Sequence, residues 1–379
     1  MIRIALGMIL GDRVKYIGLI FGVMFSTLLC VQQASIFVGA LRLASSLIIS
    51  NPNVDIWVAR PGVEGTEWVE QMPELWIQRV RGVEGVEWAV PLYKAATIGK
   101  SLNRTLRVLQ IVGVDDATLI GAPSNMLVGE TQSLRQPDAV IMDIGAFTRL
   151  LPGKDPRTRP TIEIGKRMVV VVGVCRELTS LTGNDIIYAR RSVAVNLSQE
   201  PNDTLTFGLV KALPGRDHRQ LASLIARQTG LQAFTASDFK RQIVQWTLDN
   251  TGVIQVLGSV ILLGLVIGIL VVGQTFYLFA YENQRYFATL KAMGASNGRI
   301  VGMIVVQAML VTAVGYGLGV GGATFFLRLG DTDLSPLRGI TLSAEVAIIV
   351  AIIMPIMVLG TALVGGRRAL FAEPGMVFR

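Results

Sequence analysis

The four longest stretches of the chain without Asp, Glu, Lys or Arg are Tyr16–Leu41, Asn250–Tyr281, Ile300–Leu327 and Val346–Gly366. Their content is Ile, Leu, Val, Met, Phe and Gly, as in SVILLGLVIGILVVG. At a rise of about 1.5 Å per residue, about 20 such residues cross a hydrocarbon core of about 30 Å, whereas apolar runs of about 10–14 suit a buried helix of a soluble protein. The pattern therefore predicts four transmembrane helices, at 16–41, 250–281, 300–327 and 346–366. Between the first two the period changes. Asn53–Ala59 alternates like a half-buried strand and ends at Arg60-Pro61-Gly62, a turn. Thr105–Val114 and Arg167–Val174 read as strands, the second apolar enough to be central. Ala139–Asp143 is a short strand followed by a helix over Ile144–Leu151, and Met72–Val80 has helical spacing. Thr204–Leu213 is a further strand, and Pro214–Asp217 leads into an amphipathic helix through Thr229. Residues 42–249 are thus expected to form an α+β extracytoplasmic domain, long enough for one sizeable domain or two small ones. The fold class expected is a membrane protein with a 1+3 arrangement of spans around that domain. Trp246 and Tyr281 flank the second span and suit membrane-interface positions.

Composition agrees with this division. The chain of 379 residues is 51% hydrophobic and only 16% charged, with a mean hydropathy of +0.53, against about 25% charge in a typical soluble domain. Disorder is excluded by the apolar content, and two cysteines, Cys30 and Cys175, cannot build a disulfide framework. A bridge between them is implausible, since one lies in a span and the other in the domain. The net charge of +8 suggests nucleic acid until the charges are placed. Residues 1–15, 282–299 and 367–379 together carry +6, residues 42–249 carry +3, and 328–345 carry −1. Short basic flanks stay on the cytoplasmic side, and large domains cross regardless of charge. Both termini and the loop 282–299 are therefore expected to be cytoplasmic, with 42–249 and the short loop 328–345 outside, and no nucleic-acid partner is needed. The first span, preceded by Arg3, Arg13 and Lys15, exceeds the apolar run of a signal peptide and reads as an uncleaved anchor.

Catalytic chemistry is missing from the sequence. The single histidine, His218, sits in a loop-like PGRDH stretch and reads as a solvated turn residue, while metal sites and Ser-His-Asp or Cys-His arrangements need a supported histidine. GASNGRI at Gly294–Ile300 lacks the spacing and the Lys-Ser/Thr of a phosphate loop, so no enzymatic activity and no directly bound cofactor are expected. Asp115-Asp116 and Asp331/Asp333 read as turn formers. No span holds an ionisable side chain, which disfavours a proton- or ion-coupled carrier. The energy source is expected in a partner.

Two features could serve such a partner. In the loop 282–299, Tyr286, Leu290 and Met293 recur at i, i+4 and i+7 with Phe287 beside them, so a short helix has an apolar face. Glu282, Arg285, Thr289 and Lys291 supply its polar side, and Gly294 is placed to end it. Periodicity alone favours a helix lying on the membrane surface and in contact with lipid over one docked in a cytosolic protein. Ile2–Asp12 is a similar amphipathic lead-in to the first span. In the spans, the pairs Gly264/Gly268, Gly315/Gly319 and Gly317/Gly321 allow close helix packing or dimerisation, and Pro355 permits a kink.

With these motifs the chain resembles the permease subunits of MacB/FtsX-type ABC transporters, the DevC-like exporters among them. YFATLKAMGASNGRI (Tyr286–Ile300) is similar to that family's I-G-x-L-K/R-A-x-G-A-S coupling element, matched by Leu290, Lys291, Ala292, Gly294, Ala295 and Ser296. The tail RRALFAEPGMVFR is similar to the family's ending at Arg367, Arg368, Ala369 and Pro374, and departs from it at Val377-Phe378. DIWVARPG, VRGVEGVEWAVPLY and VVVVGV look like the opening strand, the following turn and the central strand of the family's extracytoplasmic domain. The resemblance implies a homodimeric permease in a bacterial inner membrane, bound to two copies of a separate ABC ATPase that hold the ATP and Mg. It implies mechanotransmission to the external domain and export of an amphiphilic or lipid-like substrate, with a periplasmic adaptor and an outer-membrane channel as further partners. It makes Glu282, Arg285, Tyr286, Phe287, Leu290, Lys291, Met293, Gly294, Ala295 and Ser296 an ATPase-coupling element. Two alternatives remain: a signalling scaffold that regulates a cell-wall hydrolase without transport, and a membrane-anchored receptor with no ATPase.

Overall fold

The computed structural model describes residues 13–66, 70–178, 183–198, 204–335 and 338–365. The lead-in segment Ile2–Asp12 and the tail 367–379 lie outside them. The described chain forms two compact units. One contains the first span as far as Gly39, Val253–Asp331 and the chain from Ile340; the other is Ala40–Gly252 together with Thr332–Gly339.

The second unit begins at the end of α1 (Arg13–Ala44) and a short turn of helix, α2 (Ser46–Ile49). It continues through β1 (Ile56–Ala59), β2 (Met72–Pro73), α3 (Leu75–Arg81), β3 (Val86–Lys100), β4 (Leu106–Val114) and β5 (Met126–Val128). Then come β6 (Ala139–Asp143), α4 (Ile144–Leu150), β7 (Thr161–Ile164), β8 (Arg167–Cys175), β9 (Asp185–Arg190) and α5 (Arg191–Ser198). The unit closes with β10 (Thr204–Leu205), β11 (Phe207–Ala212), α6 (His218–Thr229), β12 (Gln232–Thr235) and α7 (Ala236–Asn250). Ten described strands make one sheet in the order β12-β1-β11-β3-β4-β9-β6-β8-β5, with β7 pairing β3 and β8. The pairs β4–β9 and β6–β8 are parallel and the others antiparallel. The expected α+β domain is therefore present between the first and second spans.

The 15-residue β3 joins the two halves of this sheet. Its first half pairs β11 as far as Leu92, and its second half pairs β4 from Tyr93 to Lys100. The turn expected within VRGVEGVEWAVPLY lies at 82–85, and the rest of that stretch, from Val86, is strand. Pro91 lies within the strand, where β3 is flanked by β11 alone, so its missing N–H breaks no bond to β4. The half-buried strand expected at Asn53–Ala59 also needs correcting. Ile56, Trp57, Val58 and Ala59 are all buried, because both sheet faces are covered. Ile56 and Val58 pack with Ile77, Val80, Leu221 and Ile225, and Trp57 packs with Phe207 and Phe239. A third cluster gathers Tyr93, Ile111, Met142, Phe147 and Leu150. Side chains cap the helices: Asp217 accepts from Arg219 N at 2.8 Å to start α6, so His218 is that helix's first residue rather than a turn residue. Thr235 accepts from Asp238 N at 3.1 Å to start α7.

The first unit holds helices long and apolar enough to cross a membrane. Among the described residues there are four, Tyr16–Ala44, Ile254–Glu282, Asn297–Gly330 and Ala344–Gly365. They lie in α1, α8 (Val253–Glu282), α10 (Asn297–Gly330) and α11 (Ala344–Gly365), with the short helix α9 (Gln284–Ala292) between α8 and α10. Each helix overruns a charge-free stretch at one end or both, because Arg42, Glu282, Arg299, Arg328 and Glu345 are themselves helical. Pro355 stands inside α11. The glycine pairs contribute within the chain. A Cβ on Gly319 would stand 2.6 Å from Thr27 Cβ and 2.7 Å from Met24 O, and one on Gly315 would stand 2.7 Å from Val23 Cβ. Gly264 faces Leu29, and Gly268 faces Ser26 and Met357. Gly264, Gly268, Gly315 and Gly319 thus let spans 2 and 3 close on span 1, while Gly317 and Gly321 have open space beside them.

Candidate coupling site

The turn from α8 to α10 is built around α9. Nine residues are too few to hold a helix in isolation, so its termini and its anchor matter. At the C-terminus, Met293 N donates to Thr289 O at 3.0 Å, Gly294 N to Lys291 O at 2.9 Å and Ala295 N to Leu290 O at 2.9 Å. Gly294 has φ +91°, a left-handed conformation that its missing Cβ permits. This is the Schellman arrangement, in which the chain reverses and satisfies the last carbonyls. Ser296 then takes an extended conformation at the N-cap of α10, and its carbonyl accepts from Arg299 N and Ile300 N.

The side chains of α9 divide in a way that periodicity did not show. Phe287 is 1% exposed and Ala288 fully buried. Phe287 packs with Leu19, Val23, Phe276, Ala280, Ile300 and Ile304 from the spans. Tyr286 and Met293 are 65% and 71% exposed, and Leu290 is half-buried between the two faces. The expected single apolar face is thus two: Phe287 ties the helix to the spans, and Tyr286 and Met293 point outward. The polar side is half-buried at Lys291 and exposed at Glu282 and Thr289, and the side chain of Arg285 lies outside the described residues.

A second constellation, unforeseen from the sequence, lies in the inserted domain and involves Thr332–Gly339. Arg338 Nη2 stands 2.6 Å from Asp143 Oδ2, with both side chains almost fully buried. The same Nη2 donates to Glu177 O at 3.1 Å. Asp143 also caps α4, accepting from Gly145 N at 3.0 Å, and takes Glu177 N at 3.3 Å. Arg149 pairs with Asp185 and donates to Leu334 O at 2.6 Å, and Arg176 Nη2 meets Asp333 Oδ1 at 2.9 Å. Burial lifts the Asp143 carboxyl above the ordinary carboxylate range more than the Arg338 charge beside it holds it down. Asp185 is lifted in the same way against Arg149. Burial and the nearby Asp143 and Glu177 push the Cys175 thiol well up, which makes it an inert packing residue. Nothing in residue spacing links Arg338 to Asp143, far apart in the chain. The only local signal was the strand-to-helix step at Asp143, which marks a cap.

Among the described residues no group of three or more His, Cys, Asp or Glu is placed to hold a metal ion. Cys30 and Cys175 are buried and unbridged. The four long apolar helices are those of a multi-pass membrane protein. Residues 258–374 match the FtsX-like permease C-terminal domain. Over 368 residues the chain is 25% identical to an uncharacterized ABC transporter permease of Mycobacterium tuberculosis, covering 95% of this chain and 93% of that one. It is 26% identical over 204 residues to the macrolide export ATP-binding/permease protein MacB of Neisseria meningitidis, covering 52% of this chain and 31% of that one. The periplasmic region of MacB from Actinobacillus actinomycetemcomitans superposes with a TM-score of 0.39 at 14% identity, covering 53% of this chain and 94% of that one. The resemblance to MacB/FtsX-type ABC transporter permeases carried by the sequence motifs is borne out.

Proposed function

We propose that this chain is the membrane subunit of an ATP-driven exporter and takes its power from a separate ABC ATPase docked on α9. The observation that carries this reading is the division of that helix. Two large apolar side chains, Tyr286 and Met293, stand more than half exposed on an element whose other face is fixed to the spans through Phe287. A helix lying loosely on a lipid surface needs no such anchor. A rigid apolar knob suits a cleft in a partner, because its ordering cost is already met. ATP and Mg bind the partner, and closure of its two copies around nucleotide displaces α9. The displacement passes to α8 across Asn283 and to α10 through the tight Gly294–Ser296 turn. In this reading a permease homodimer in a bacterial inner membrane, with both termini cytoplasmic, transmits the motion to the extracytoplasmic domain. That domain moves an amphiphilic or lipid-like substrate, handed on to an adaptor and an outer-membrane channel.

The test is co-purification of the cognate ATPase with the full-length permease and with Tyr286→Asp/Met293→Asp. Loss of the ATPase from a variant that still folds supports docking at α9, and retained binding overturns it. If the bound ATPase hydrolyses ATP but a deletion strain exports every amphiphile tested while wall hydrolysis is misregulated, the signalling-scaffold reading replaces export.

A further inference from the structure

We infer that Arg338 is a positioning residue that locks the loop between spans 3 and 4 into the inserted domain, making that loop an arm through which the two spans pull on the domain. This rests on the mechanical reading above. The chain enters the domain from α1 and leaves it into α8, and those two connections alone would tie it to the first two spans. Thr332–Gly339, however, packs as part of the same compact unit as Ala40–Gly252, while α10 and α11 on either side of it are membrane helices. Spans 3 and 4 therefore also join the domain covalently, through a loop that is held in place.

The holding contacts are ionic and directional. Arg338 reaches Asp143 at 2.6 Å and the Glu177 carbonyl at 3.1 Å. Arg149 takes the Leu334 carbonyl at 2.6 Å, and Asp333 takes Arg176 at 2.9 Å. These grips fall on β6, α4 and the residues just after β8, and β6 and β8 are neighbours in the sheet half away from β1. The loop thus grasps the domain beside the segment that enters it from span 1, where Ser50 Oγ donates to Glu177 Oε2 at 2.9 Å. A loop held in place lets motion of spans 3 and 4 relative to spans 1 and 2 become strain in the domain, which a slack loop cannot do. The chemistry also suits position better than stability. A buried ion pair recovers little of its desolvation cost, yet removing one partner is severe, so it fixes one geometry without adding much energy. A loop held by apolar contacts alone could slide, because such contacts are non-directional.

Hydrogen exchange on the full-length permease, alone and with its ATPase, tests the arm. In the wild type the amides of Thr332–Ser335 and Arg338–Gly339 should be protected. Arg338→Met should speed their exchange by about tenfold or more, and Arg338→Lys should restore most of the protection. In the complex, ATP should change exchange in β6 and β8 for the wild type and Arg338→Lys. That response should vanish for Arg338→Met while ATP turnover stays within about twofold, a split that a merely structural residue does not produce. Because Arg338→Met strands the Asp143 charge and can unfold the domain, Asp143→Asn/Arg338→Met is the companion variant. Asparagine still caps α4, and the same readings are expected. Unchanged loop protection in both variants, or an ATP response of β6 and β8 that persists in them, overturns the proposal. If the ATPase fails to bind the wild type, the docking reading falls instead, and loop protection in the permease alone still decides the lock.

Discussion

Phe287 and Tyr286 are neighbours in sequence with opposite environments, and replacing each by alanine separates anchoring from docking. Phe287 is 1% exposed within a cluster drawn from the spans, so Phe287→Ala removes a whole buried ring and leaves a cavity, at about 3–5 kcal/mol. The helix it holds has nine residues, too short to persist without its anchor. The expected result is a lower unfolding temperature and a disordered coupling segment. Tyr286 is 65% exposed, so only about a third of its ring is covered. Full burial of such a side chain contributes about 1.5–3 kcal/mol, so Tyr286→Ala should cost roughly 0.5–1 kcal/mol of stability. If Tyr286 and Met293 fill a pocket in the ATPase, truncating an interface anchor of this kind costs about 2 kcal/mol, close to thirtyfold in affinity. The assay pairs thermal unfolding of the permease in lipid nanodiscs with titration of the purified ATPase. Tyr286→Ala should fold and bind weakly, whereas Phe287→Ala should lose stability first. Wild-type affinity in Tyr286→Ala/Met293→Ala, or wild-type stability in Phe287→Ala, refutes the division of faces on which the docking site rests.

Other consequences follow from the spans and from the buried carboxylates. Gly319→Val should destabilise the bundle by about 1–3 kcal/mol, since its Cβ meets a backbone carbonyl that cannot move aside, whereas Gly317→Val, with open space beside it, should change little. Equal unfolding temperatures for the two would show that spans 1 and 3 do not close on Gly319. Asp143 has a pH signature. Because burial raises its folded carboxyl above the unfolded value of about 3.9, the folded chain binds that proton more tightly. Its favourable contribution is present below the unfolded value and lost as pH rises through the higher folded one. Wild-type stability should thus fall relative to Asp143→Asn as pH rises above about 4, then level off. A gap that moves the other way contradicts the burial of this carboxylate.

Much of the architecture was legible in the chain. The four charge-free stretches had to be spans, because no buried helix of a soluble domain needs so long an apolar run. Strands at Thr105–Val114, Ala139–Asp143 and Arg167–Val174, and the helix ending at Thr229, were readable because local period and caps are properties of a few neighbouring residues. The Gly294 terminus of α9 was readable for the same reason. Four matters were decided only in the tertiary structure. VRGVEGVEWAVPLY looked like a turn, yet from Val86 it is strand and β3 passes through Pro91, because pairing with β11 and then β4 outweighs one missing donor. Ile56–Ala59 looked half-buried, yet the sheet is covered on both faces, which no single strand can report. The stripe at Tyr286, Leu290 and Met293 suggested one apolar surface. Which side chain of α9 is buried depends on where Leu19, Phe276 and Ile304 stand, and these come from three different spans. Above all, the grip of Arg338 on Asp143 has no trace in sequence spacing. Hydrophobic periodicity, solvent and chain length set which segments cross the membrane and which fold as a domain. The sheet's long-range pairing decided which charges meet, because an ion pair is a property of two places in space.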